Sequence, residues 1–131
     1  MIDTSVFVAG LIVEHEFHHL ARPEIRKAGI VSGVVLAETF AQLRRTFRLD
    51  VEVALAALQT WIIEAGRVAV LSPSGYVELF ARSAQLRLGG NIHDAVIAKT
   101  AGETGQELVT LDRRQHAIAV ALGVPATYLA D

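Results

Sequence analysis

The 131-residue chain contains no cysteine, which removes a disulfide framework and thiolate chemistry from consideration. It has no surplus of positive charge either: Lys and Arg number 12 against 14 Asp and Glu, a formal net charge of −2. A basic stripe is the usual electrostatic footprint of a nucleic-acid binder, and the overall balance does not advertise one. Membrane-length runs are also missing. Hydrophobic residues make up 52% of the chain and mean hydropathy is +0.39, yet apolar runs such as Thr4 to Val13 and Ala28 to Ala37 are only about half a membrane span. The opening Met1-Ile2-Asp3 has no basic n-region and no cleavage-site pattern, so the expected address is the cytoplasm, with no membrane partner. No repeat, low-complexity tract or linker interrupts the chain. Residues 1–131 are read as one domain, a length that supports one well-buried core.

What is present is an alternation. Short β-branched or apolar runs exchange with longer segments of helical period, the pattern of βαβ units that build a parallel sheet. Strands are expected at Met1 to Ser5, Gly29 to Ser32, Arg67 to Leu71, Glu107 to Thr110 and Thr127 to Leu129. Helices are expected at Val6 to Val13, Glu16 to Lys27, Gly33 to Thr46, Val51 to Ala65, Ser74 to Leu88, Ile92 to Thr104 and Arg113 to Leu122. Punctuation agrees: Ser72-Pro73-Ser74-Gly75 stops a strand and caps a helix, Gly89-Gly90-Asn91 separates two helices, and Gly123 with Pro125 closes the last.

The positive charge is unevenly made. Lysine occurs only at Lys27 and Lys99, so 10 of the 12 cationic residues are arginine. They include Arg44, Arg45 and Arg48 in one short stretch and the adjacent pair Arg113-Arg114. Arginine's planar fork suits phosphate better than the point charge of lysine, which makes these five candidate RNA contacts. Solvated helix faces explain the same pattern equally well.

Four acids occupy positions of interest: Asp3, Glu38, Asp94 and Asp112. Asp3 and Asp112 each close an apolar strand-like run and open a helix, where Asp is an ordinary N-cap. Asp94 is harder to explain so simply. At about 100° per residue it falls in the middle of the arc formed by Ile97, Ala98 and Ala101, with Lys99, Thr100 and Glu103 on the opposite, wet side. A carboxylate on a buried stripe costs several kcal/mol unless paired or bound to a cation; the ordinary explanation is support of the helix start through the macrodipole. Glu38 shares its face with Gln42 and Arg45, whereas Leu36, Phe40 and Leu43 form the apolar face. By periodicity Glu38 reads as a solvated residue.

Joint placement changes the reading. Open parallel sheets bind ligands beyond the carboxyl ends of their strands, and that is where Asp3 and Asp112 fall. Glu38 lies in the helix after another strand, and Asp94 in the first turns of the helix leading to the fourth. Carboxylates converging there would make a hard-oxygen site suited to Mg²⁺ or Mn²⁺. Met1-Ile2-Asp3-Thr4-Ser5-Val6, Leu36-Ala37-Glu38, His93-Asp94-Ala95-Val96-Ile97-Ala98 and Leu108-Val109-Thr110-Leu111-Asp112 together resemble the successive motifs of PIN-domain ribonucleases, and among these the VapC toxins of toxin–antitoxin pairs. The resemblance spans nearly the whole chain. One departure is visible: only two residues precede Asp3, so the first strand is shorter than usual in the family.

The resemblance implies a Rossmann-like three-layer α/β/α sandwich around a parallel sheet of about five strands. It implies a Mg²⁺- or Mn²⁺-dependent endoribonuclease, an RNA substrate, a cognate antitoxin that wraps the toxin and occludes the acidic pocket, and a homodimer. Asp3, Glu38, Asp94 and Asp112 match the family's acidic quartet, with Asp3 and Asp94 as direct metal ligands and Asp112 completing or orienting the shell. Glu38 would position a water or act as base, and Ser5 and Thr110 match the small hydroxyl positions beside the first and last acids.

Other features carry less. His15, His18 and His19 cluster, but no third strong ligand follows at zinc-site spacing. His93 beside Asp94 is read as exposed polar packing, and Leu58, Trp61 and Ile62 as core or a partner-facing stripe. Gly89-Gly90-Asn91 lacks the lysine and hydroxyl of a phosphate loop. Two rival functions remain: a catalytically silent PIN-like module that binds RNA or protein, and a phosphotransfer receiver. The receiver would want paired acids after the first strand, where Ile2 precedes Asp3, and a late-strand lysine, whereas Lys99 is mid-helix.

Overall fold

The β-branched runs do pair, and every pairing is parallel, as helix-connected strands require. The computed structural model describes residues 1–130. Its elements are α1 (Thr4–Leu11), α2 (His18–Lys27), β1 (Val31–Ser32), α3 (Gly33–Arg45), α4 (Val51–Ile62), a 3₁₀ turn at Ala65–Arg67, β2 (Val68–Ala69), α5 (Pro73–Ala81), α6 (Ile92–Glu103), β3 (Leu108–Thr110), α7 (Arg113–Ala121) and β4 (Ala126–Tyr128). β1 pairs with β2, Val31 opposite Val68; β3 pairs with β4, Leu108 opposite Ala126. A single parallel bridge joins Ile2 to Val109. Val109 accepts from the Asp3 N–H at 3.1 Å and donates to the Met1 carbonyl at 2.8 Å, while Leu108 and Thr110 bond to the β4 side. β3 is thus flanked by the N-terminal segment and by β4. Among the described residues no ladder joins this group to β1–β2.

The architecture is α/β with small parallel sheets, and it is richer in helix than the alternation suggested. The expected strand Met1 to Ser5 is reduced to the bridge at Ile2, because Asp3 caps a helix that starts at Thr4. Thr4, Val6, Phe7, Val8, Ala9 and Gly10 are all buried, and periodicity does not separate a helix buried all round from a buried strand. A side chain at Gly10 would reach within 3.3 Å of the Ala21 carbonyl carbon, so glycine there lets α1 and α2 pack closely.

The expected helix Ser74 to Leu88 ends at Ala81. Beyond it the Ser83 hydroxyl donates to the Phe80 carbonyl at 2.8 Å, a local bond that competes with helix propagation, and Arg87 takes a left-handed conformation at φ 53°. On α6 the expected wet face is largely covered. Thr100 is buried and donates to the Val96 carbonyl at 2.6 Å, and Lys99 pairs with Glu78 at 3.0 Å; only Glu103 is exposed. The contrast of faces that singled out Asp94 is therefore weaker than the wheel implied.

The main core joins Ile2, Phe7, Val31, Val35, Leu58, Trp61, Ile97 and Leu108. Phe7 meets Trp61 edge-on with centroids 4.8 Å apart, and the Trp61 indole N–H donates to the Ala28 carbonyl at 3.1 Å. Leu58 and Trp61 belong to this core, but Ile62 does not: Val51, Leu55 and Ile62 are exposed along one face of α4, as are Val77 and Phe80 on α5. Among the described residues no helix is long and apolar enough to cross a membrane.

Candidate active site

The four acids line one cleft of about 500 Å³, together with Thr4, Ser5, His15, Glu16, Gln42, Arg114 and Gln115. Each arrives there through local structure that can be traced to sequence.

Asp3 is the N-cap of α1 and is 3% exposed. Its Oδ1 accepts from the Val6 N–H at 3.1 Å and the Ser5 hydroxyl at 2.6 Å, and its Oδ2 accepts from the Thr110 hydroxyl. The same hydroxyls reach the end of β3: Leu111 N–H donates to Ser5 Oγ and Asp112 N–H to Thr110 Oγ1, both at 2.9 Å. Burial raises the Asp3 carboxyl from its ordinary 3.8 to about 6, against the opposing effect of these hydrogen bonds and with a further push from Asp112.

Asp112 caps α7, Oδ1 accepting from Arg114 N–H at 2.8 Å and Gln115 N–H at 3.4 Å. Helix capping is therefore a real structural role for both acids. Asp94 lies in the first turn of α6. Burial raises its carboxyl above the usual range; Arg114 opposes the shift, and Asp112 and Glu38 add to it. Its Oδ2 is buried and accepts no hydrogen bond, although Arg114 Nε approaches to 3.4 Å as an ion pair. Glu38, expected to be solvated, is half-buried and accepts the Thr4 hydroxyl on Oε1 at 2.6 Å.

Five polar lining residues, Thr4, His15, Glu16, Gln42 and Gln115, were not anticipated as functional. Thr4 was legible only as part of a polar cap. Gln115 is 2% exposed and donates through Nε2 to the Asp94 backbone carbonyl at 2.8 Å. Asp112-Arg113-Arg114-Gln115 has capping-box spacing, the signal that marks it, but the glutamine side chain turns to α6 instead of returning to its own cap. His15 and Glu16 come from the turn between α1 and α2, where nothing in the pattern points inward. The His15 Nδ1 accepts from the Phe17 N–H at 3.1 Å and the His18 ring donates to the Ala9 carbonyl at 2.9 Å; His19 is exposed.

The five arginines separate. Arg114 lines the cleft, and Arg45 lines an adjoining cavity with Glu38 and Gln42. Arg44 donates to the Leu49 carbonyl at 2.7 Å, Arg113 lies 4.5 Å over the Tyr128 ring, and Arg48 is exposed with φ 56°. His93 is exposed.

The donor set, carboxylate and hydroxyl oxygens with one buried carboxylate oxygen lacking a donor, fits a hard cation by its chemistry. Its spacing is more open: among the described residues no three Asp, Glu or His side chains lie close enough together to hold an ion as they stand. The sequence matches the PIN domain over residues 1–121. The chain belongs to the PIN-domain family. No curated protein matches the sequence. As a PIN domain it is a nuclease-like module of α/β architecture, with the acid cleft beyond the ends of the N-terminal segment and of β3.

Proposed function

We propose that this PIN domain is a metal-dependent endoribonuclease, the toxin of a VapC-type, type II toxin–antitoxin pair acting in the cytoplasm, with residues 1–131 as one domain, a three-layer α/β/α sandwich around a parallel arrangement of about five strands. The observation that carries the reading is convergence: Asp3, Glu38, Asp94 and Asp112 line one cleft, with a buried Asp94 oxygen that accepts no hydrogen bond.

Asp3 and Asp94 would hold Mg²⁺ or Mn²⁺, with Asp112 completing the shell. When bound, the ion would supply a lowered water pKa and positive charge to offset that of the phosphate. The remaining work falls to the chain. Thr4 fixes Glu38 through Oε1, leaving Oε2 to take the proton of the attacking water as its oxygen bonds to phosphorus and the bond to the leaving ribose oxygen breaks, that oxygen taking a proton from solvent. Ser5 and Thr110 hold Asp3 in orientation. The exposed apolar faces of α4 and α5 support binding to partners, in this reading a second copy of the chain and the antitoxin.

The test is cleavage of single-stranded RNA with Mn²⁺ or Mg²⁺, lost in EDTA and in both Asp3→Ala and Asp94→Ala; full activity in both variants sinks the mechanism. A small neighbouring reading frame with a DNA-binding N-terminus, whose product copurifies with the chain, tests the toxin assignment. The open spacing of the acids favours one second reading, a catalytically silent module, which predicts RNA or protein binding with no cleavage under any divalent ion.

A further inference from the structure

Among the described residues lining the acid cleft, Arg114 is the only arginine or lysine, against five carboxylates at Asp3, Glu16, Glu38, Asp94 and Asp112. It is held firmly at its base, where the backbone N–H donates to Asp112 Oδ1, and loosely at its head. The side chain is 67% exposed, and it meets the cleft through the 3.4 Å approach of Nε to Asp94 Oδ2, an oxygen that accepts no hydrogen bond. Because the guanidinium end of the pair is open to solvent, the attraction is screened to on the order of 1 kcal/mol and is easily exchanged. A phosphodiester entering the cleft brings further negative charge toward the carboxylates. It also offers paired oxygens that match a guanidinium fork better than a single carboxylate oxygen does.

Resting on the ribonuclease reading, we infer that Arg114 has two alternative partners: Asp94 in the substrate-free protein, and an RNA phosphate next to the scissile bond in the complex. In moving to the phosphate it positions the substrate and releases the Asp94 carboxylate for a divalent cation. RNA and cation then bind cooperatively, since each favours the arrangement in which Arg114 has left Asp94, and such coupling is reciprocal. Arg114 is a positioning residue in this scheme, whereas Arg44 and Arg113 are engaged with a backbone carbonyl and with Tyr128.

The experiment compares the full chain with Arg114→Gln and Arg114→Lys. Mn²⁺ binding to free protein is followed by calorimetry, and binding of a mixed-sequence single-stranded RNA is measured in EDTA over a series of salt concentrations. Arg114→Gln is expected to bind Mn²⁺ about two- to fivefold more tightly, the equivalent of one weak ion pair removed. Its plot of log RNA affinity against log salt should be shallower by about 0.7, one phosphate contact on a single strand. Arg114→Lys keeps the charge and should keep the slope, a result that a purely structural role for the side chain does not produce. An unchanged slope in Arg114→Gln, or Mn²⁺ affinity equal to or weaker than that of the parent, overturns the inference alone when the parent cleaves RNA. A parent chain that neither binds nor cleaves RNA overturns the ribonuclease reading and this inference with it.

Discussion

Thr110 donates its hydroxyl to Asp3 Oδ2 across 107 residues of sequence, and Thr110 Oγ1 in turn accepts the backbone N–H of Asp112. One buried side chain therefore ties the first acid of the cleft to the last. Thr110→Val keeps the shape and removes both bonds. The expected result is a loss of about 1–3 kcal/mol in urea unfolding, the cost of leaving buried polar groups unpaired, and a further rise of the Asp3 carboxyl, because the Thr110 bond holds it down. Wild-type stability in Thr110→Val would show that the link carries no weight.

The Asp3 carboxyl has a raised pKa in the folded chain, about 6 against 3.8. The sign follows directly: the folded state binds the proton more tightly than the unfolded state, so this group stabilises the fold below pH about 3.8 and loses that contribution as pH rises through about 6. Asp94 shifts in the same direction. In EDTA, unfolding free energy measured from pH 4 to 8 should fall across this window by on the order of 3 kcal/mol more in wild type than in Asp3→Asn. Parallel curves for the two proteins would refute the assignment.

Asp112 combines a cap and a charge, and two substitutions separate them. Asp112→Asn retains an oxygen for the Arg114 and Gln115 N–H groups and loses the charge; Asp112→Ala loses both. Thermal and urea unfolding should show Asp112→Ala destabilised by about 0.5–2 kcal/mol and Asp112→Asn close to wild type. RNA cleavage should be abolished or nearly so in each. Retained activity in Asp112→Asn removes its carboxylate from the chemistry.

Glu38 depends on Thr4 for its orientation. Glu38→Gln should lower kcat by about a hundredfold or more, the scale of general-base catalysis, with little change in KM. Thr4→Val should lower kcat less, by roughly tenfold through a loosened Glu38, and leave Mn²⁺ affinity unaltered. A KM effect without a kcat effect in either variant would assign Glu38 to binding.

The sequence made the α/β class and the meeting of the acids legible because both depend on short-range rules: apolar runs that become parallel segments, and Asp at positions that begin helices. Asp3 and Asp112 follow from strand-end placement alone. Glu38 does not, since its bond partner in the cleft is Thr4, a residue 34 positions away, and helical period assigns it to solvent. Asp94 was singled out by a face contrast that the packing of Thr100 and Lys99 partly erases; what distinguishes it is an oxygen without a donor, which no wheel displays. Gln115, His15 and Glu16 were missed because they enter the cleft through tertiary contacts. The short strands were overestimated and the helix α5 overextended for a common reason: local propensity does not register where a cap or a side-chain bond to the backbone stops an element.

The apolar faces left uncovered on α4 and α5 also bear on how the chain behaves as a colloid. With a net charge of −2, little repulsion keeps two copies of Val51, Leu55 and Ile62 or of Val77 and Phe80 apart. The chain reaches zero net charge near pH 6.2, close to the pH of about 6 at which Asp3 takes up its proton. Mild acidification therefore removes long-range repulsion between molecules and the innermost negative charge of the cleft in one step, and self-association should peak near the pH at which Asp3 takes up its proton.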